Sequence, residues 1–150
     1  MLAAEQIVLA VAALLAGVPA FAGKVYTDHP WPFSAEELPA WRVGEGDEEV
    51  IQHGANFPAR NQHELTVRCE GYVAAADNLR QALNNDMAAP ALAALFASKQ
   101  SSSLSIGNTA MVLQRIERDT VQEGQAACGR ITLYLRVRFH TSSNAPEVIN

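Results

Sequence analysis

The spacing of hydrophobic positions changes along the chain, and each change marks an element. Ile7, Val11, Leu14 and Leu15 fall on one helical face with Val8 beside them, so residues 3 to 16 read as an amphipathic helix. Gly17 and Pro19 stop it. Gly23-Lys24-Val25-Tyr26 reads as a short extended piece, and Thr27 to Pro39 as an irregular loop in which Pro30, Pro32 and Pro39 surround Trp31 and Phe33. Leu38 to Gly44 reads as a strand, Gly44-Glu45-Gly46-Asp47 as a turn, Glu49 to His53 as a second extended stretch and Gly54 to Asn61 as a loop.

The clearest signal follows. Leu65, Val67, Cys69, Gly71 and Val73 alternate with Glu64, Thr66, Arg68, Glu70 and Tyr72, which is the period of a strand with one buried face. Asp77 to Ala97 is rich in alanine and leucine and reads as a helix whose core side holds Leu79, Leu83, Met87, Leu92, Leu95 and Phe96. Pro90 lies inside it, and an interior proline loses a backbone hydrogen bond and clashes with the previous turn, so a kink or a junction of two helices is expected at Ala89-Pro90. Ser98 to Gly107, with Ser101-Ser102-Ser103, reads as an exposed loop. The last third reads as a hairpin: Thr109 to Asp119, a tip near Gln122-Glu123-Gly124-Gln125, and Ala127 to His140. In its second arm Ile131, Leu133, Leu135, Val137 and Phe139 alternate with polar residues. Arg136 and Arg138 match Glu64 or Glu70 if those strands are neighbours. The expected fold is α+β, one domain over residues 1–150, with an antiparallel sheet of about four strands and two main helices packed on one face.

Composition changes this picture little. The 150 residues are 49% apolar and 18% charged, which suits a folded chain rather than a disordered one. A net charge of −5, spread in both signs, lacks the basic footprint of a tight nucleic-acid binder. Cys69 and Cys128 form no CxxC pair and read as buried free thiols. Leu2 to Ala22, ending in Ala20-Phe21-Ala22, has the outline of a secretory signal, but its n-region carries Glu5 and no Lys or Arg. Gly17 and Pro19 also leave the apolar run too short to span a bilayer as a helix. No membrane partner is therefore expected.

The search for chemistry finds no catalytic, cofactor-binding or metal-binding constellation. His29, His53, His63 and His140 sit in four separate elements, without HxxxH or HxH spacing. No GxxxxGK[ST], GxGxxG or GxSxG motif occurs. Ser101 to Ser103 have no base in a recognisable relation to them. Asp47-Glu48-Glu49 reads first as a solvated acidic turn. In a ring of copies the same turn would place like charges around an opening, through which duplex DNA could pass without sticking. Trp31, Phe33, Trp41 and Phe57 fall in or near loops, and either pack in the chain's own core or anchor a protein contact.

Taken in order, these features resemble the tail terminator, or tail completion, family of long-tailed bacteriophages. The resemblance runs from the alanine-rich opening helix ending in Gly17, through Gly23-Lys24-Val25-Tyr26 and Leu38-Pro39-Ala40-Trp41-Arg42-Val43, to the strand around Leu65-Thr66-Val67. It continues through the long alanine-rich helix to a closing strand that runs into Thr141-Ser142-Ser143-Asn144-Ala145-Pro146. Pro90 and Ser101-Ser102-Ser103 depart from the pattern, the first by interrupting a helix and the second by lengthening the loop after it. The resemblance implies a non-enzymatic structural virion protein without cofactors. It would form a homo-oligomeric, hexameric ring on the tail tube protein, end tube polymerisation and present the head-tail joining surface to connector or neck proteins. DNA would pass without specific binding. The competing readings are another phage neck or head-completion protein and, from a different class, an exported small binding protein with an N-terminal signal.

Overall fold

The structure is a computed structural model that describes residues 1–28, 33–54, 58–97, 104, 106–121 and 127–150. The architecture is α+β: a five-stranded sheet in the order β1-β2-β3-β5-β4, with the helices on one face. The long strands are β2 (Ala40–His53), β3 (Arg60–Ala74), β4 (Ala110–Val121) and β5 (Cys128–Ser142), each antiparallel to its neighbour as the alternation predicts. The short extended piece expected at Gly23 to Tyr26 supplies a fifth strand, β1 (Val25–Tyr26), which lies parallel to the start of β2 and makes the sheet mixed rather than purely antiparallel and four-stranded. Two residues are too few to show a period.

Leu65, Val67 and Cys69 of β3, with Ile131 to Phe139 at every second position of β5, form one apolar face, fully or almost fully buried. Helix α1 (Ala3–Ala16) covers it with Ile7, Val8, Val11 and Leu15, the stripe its spacing predicts. The stretch that a signal reading would remove is thus a core helix. Phe21, inside the small-residue site of that reading, is buried edge-on against Trp41 with centroids 5.6 Å apart. Gly71 leaves room for this indole, since a Cβ there would stand 2.9 Å from it.

The second helix divides as Pro90 predicts. Leu79–Gln81 (α2) leads into a π-helical stretch, Ala82–Ala88, and Ala89–Leu95 (α3) restarts the α-helix with Pro90 in its first turn. The wider turn ahead of Pro90 accommodates a ring that would clash with a regular α-turn.

Two expectations are corrected. Gly44-Glu45-Gly46-Asp47 is not a turn: β2 runs unbroken through it, with a bulge between Glu45 and Glu48 that absorbs the extra residue. The chain reverses after Gly54 instead, whose φ of 89° suits glycine. Arg138 pairs with Glu64, 2.6 Å away, as expected, but Glu70 pairs with Arg42, and Arg136 stands opposite Thr66. The Ser101–Ser103 loop and the hairpin tip at 122–125 lie outside the described residues.

Candidate functional site

The sheet face without helices carries the polar half of each alternation, and its two ends differ. At one end a polar chain crosses the four long strands. The buried Glu70 carboxylate accepts from Arg42 Nη2 at 2.8 Å and from the Tyr72 hydroxyl, while Arg130 Nε donates to Asp119 Oδ1 at 2.9 Å. Burial, and then the Glu70 charge, push the Tyr72 phenol well above its ordinary pKa. Phe33 covers this end, its ring 5.3 Å from Tyr72 and 5.5 Å from Tyr26. The charged pairs hold the strands together here, and a hollow of ≈ 230 Å³ opens beside Arg42 and Glu70, lined also by Thr27, Gly44 and Arg68.

The middle of the face is open. The bulge in β2 and a second one in β4, between Leu113 and Arg115, lie at nearly the same level on strands separated by β3 and β5. Bulges raise local twist and bend a strand. Asp47 from β2 and Gln114 and Arg115 from β4 therefore line one cavity of ≈ 640 Å³ with Thr66, Arg68 and Tyr134 between them. Outer strands that share a cavity over the inner ones mean that the sheet curls toward its helix-free side. Arg115 stacks over the Tyr134 ring at 4.2 Å. Asp47 and Glu49 also line an adjoining hollow with Glu64 and Arg136, so both signs of charge meet there.

The edges of the sheet are the less obvious feature. Among the described residues nothing pairs with the outer edge of β4 along its 12 residues, and β1 covers β2 only at Trp41 and Arg42. Each free edge carries two adjacent exposed hydrophobics: Val50 (54% exposed) and Ile51 (50%) on β2, Val112 (45%) and Leu113 (38%) on β4. A long open edge with apolar side chains is a template for pairing with another chain. Sequence reasoning missed these four residues. A signal was present: in a strand with one buried face, two consecutive apolar residues leave one of them on the wrong side.

The residues singled out from sequence end in different places. Trp41 and Phe33 are buried in the chain's own interior, which leaves neither ring for a partner to grip. Trp31 and Phe57 lie outside the described residues. The acidic trio is on a strand rather than a turn, and its side chains part. Asp47 and Glu49 face the open side, whereas Glu48 Oε1 accepts from His63 Nδ1 at 2.9 Å on the helix-covered side.

His63 Nε2 in turn meets Thr141 Oγ1 at 2.8 Å, and its ring stacks on Phe139 at 4.5 Å. Carboxylate, imidazole and hydroxyl in line have the outline of an activated nucleophile. Thr141, however, is fully buried, so no substrate can reach its oxygen. The relay clamps β2 to β5 across β3. Among the described residues no cluster of His, Cys, Asp and Glu could hold a metal ion.

Neighbouring His140 has a buried Nδ1 with no hydrogen-bond partner among the described residues. Burial, and then Arg60, His53, Arg138 and His63, hold its pKa below the ordinary value. The folded chain therefore resists a proton that the unfolded chain accepts below about pH 6.5. Stability is expected to fall as the pH drops through that range, and His140→Gln to flatten the slope in melting temperatures taken between about pH 5 and 8. An unchanged slope in the variant would assign the effect elsewhere.

No protein-family model matches the chain, and no curated protein matches it in sequence. Among solved structures it is similar to a chain in the virion of a native gene transfer agent particle, at 23% identity and a TM-score of 0.42. The match covers 93% of this chain and 92% of that one.

Proposed function

We propose that copies of this chain join edge to edge into a closed ring that caps the tail tube of a phage-like particle, ends tube growth and offers the joining surface to the head's connector. The observation that carries the assembly step is the pair of unlike free edges, β2 beyond Arg42 on one side and β4 on the other. Two different surfaces that fit each other generate a ring when the rotation between copies closes. The order of elements, from the alanine-rich opening helix to the strand that closes in Thr141-Ser142-Ser143, supports the tail terminator role in particular.

A sheet that curls toward its helix-free face turns that face inward in such a ring, with the helices outside. Asp47 and Glu49 would then line the channel beside Arg68 and Arg136. A wall of mixed sign gives passing DNA no continuous basic track to hold. The native mass in solution, alone and with tail tube protein, tests the proposal. A closed oligomer of about six copies that binds tube ends and halts their growth is the expected result. A monomer at every concentration, with tube protein present or absent, would overturn it.

A further inference from the structure

Resting on the edge-to-edge reading, we infer the register in which two copies meet. β4 of one copy runs antiparallel to β2 of the next, with Val112 opposite Ile51 and Leu113 opposite Val50.

Four observations converge on this alignment. The first is burial: it sets the exposed hydrophobics of one edge against those of the other, which covers all four at once. The second is length. Ala110 falls opposite His53 and Thr120 opposite Val43, so β4 fills the free edge of β2 from its end down to Arg42, where β1 takes over.

The third is the pair of bulges. A bulge on an edge usually blunts it, because a regular partner cannot match the extra residue. In this alignment the bulge of β4 falls between Leu113 and Arg118, and that of β2 between Val50 and Glu45. Each strand spends the same number of residues between those points, so the two extra residues cancel and the side chains face the same way on both sides of the mismatch. Arg118 then stands opposite Glu45 on the helix-covered face, with opposite charge. Arg118 uses Nε for Asn84, at 2.8 Å, which leaves its terminal nitrogens for that carboxylate.

The fourth is tilt. Within one copy Leu113 is level with Glu45, through Leu135 and Val67. In the inferred contact it meets Val50 of the next copy, which is level with His63, four residues along β3 from Val67. A climb of four residues at about 3.3 Å each, across four strand spacings of about 4.8 Å, inclines the strands by about 35° to the ring axis, within the range of closed sheets. The level alignment without this climb would leave the strands upright. It would also place Leu113 opposite Glu45 and Val112 at the Gly46-Asp47 bulge, with Val50 and Ile51 uncovered.

Double-cysteine variants of the full chain test the register. Val112→Cys is combined with Ile51→Cys and, as controls two residues to either side, with Glu49→Cys or His53→Cys. The native Cys69 and Cys128 are both buried and do not compete. Opposite Cβ atoms in a sheet are about 5 Å apart and diagonal ones about 7–8 Å, so mild oxidation is expected to cross-link copies about fivefold more at Ile51→Cys than at either control. Leu113→Cys with Val50→Cys repeats the measurement on the other face, in case one pair perturbs folding. Cross-linking that peaks at a control position would overturn the register while leaving the edge contact standing. No cross-link in any pair, from wild-type chain that still assembles, would place the contact elsewhere and overturn the register with it. A monomeric wild type would instead reject the ring itself.

Discussion

Replacing Trp41 with alanine is expected to lower the free energy of unfolding by about 3–5 kcal/mol, read from the shift of a urea denaturation midpoint at unchanged slope. The indole is fully buried beneath α1, meets Phe21 edge-on and rests over Gly71, where even a methyl group would not fit. Removing it opens a cavity where the first helix packs on the paired strands β2 and β3. Its N–H finds no acceptor among the described residues, so the ring is held by contact area rather than by a polar bond. The measurement also separates two roles. A tryptophan that served only as an anchor between subunits would leave the isolated chain's stability unchanged when removed, because its ring would be facing water.

That distinction shows where the sequence could be trusted. Periodicity located α1, β3 and β5, because in each a single face is buried and every second or every third to fourth residue reports it. It failed where tertiary pairing overrides a local signal. Gly44-Glu45-Gly46-Asp47 spells a turn, yet fifteen-residue β3 beside it holds this stretch in a strand and expels only one residue as a bulge. The same misreading put Asp47, Glu48 and Glu49 on one tip, whereas a strand sends Glu48 to the side of His63 and Glu49 to the open face. For Trp41 the sequence leaves core packing and a protein contact both open, because no period around it shows which face the helix covers, and the fold decides for the core. The free edges were the least legible of all. No residue type announces an edge, and only the order β1-β2-β3-β5-β4 reveals which strands lack a neighbour.

Introducing a charge on one of those edges gives the other large effect, this time on assembly. Val112→Asp alters a side chain that is 45% exposed in the single chain, so its own stability should move by no more than about 0.5 kcal/mol. In the ring the same carboxylate would be pressed against Ile51 of the next copy, close to Glu49, with no partner for its charge. Each contact should weaken by about 1–3 kcal/mol, and because every contact in a closed ring carries the change, the losses multiply from copy to copy. Native mass measurements are expected to show monomer where the wild type is assembled, at a melting temperature close to that of the wild-type monomer. Adding Ile51→Lys to the same chain supplies the missing opposite charge at the facing position and should restore part of the assembly. If Val112→Asp assembles as the wild type does, β4 is not the contact. If the second change fails to rescue the first, Val112 and Ile51 are not opposite each other.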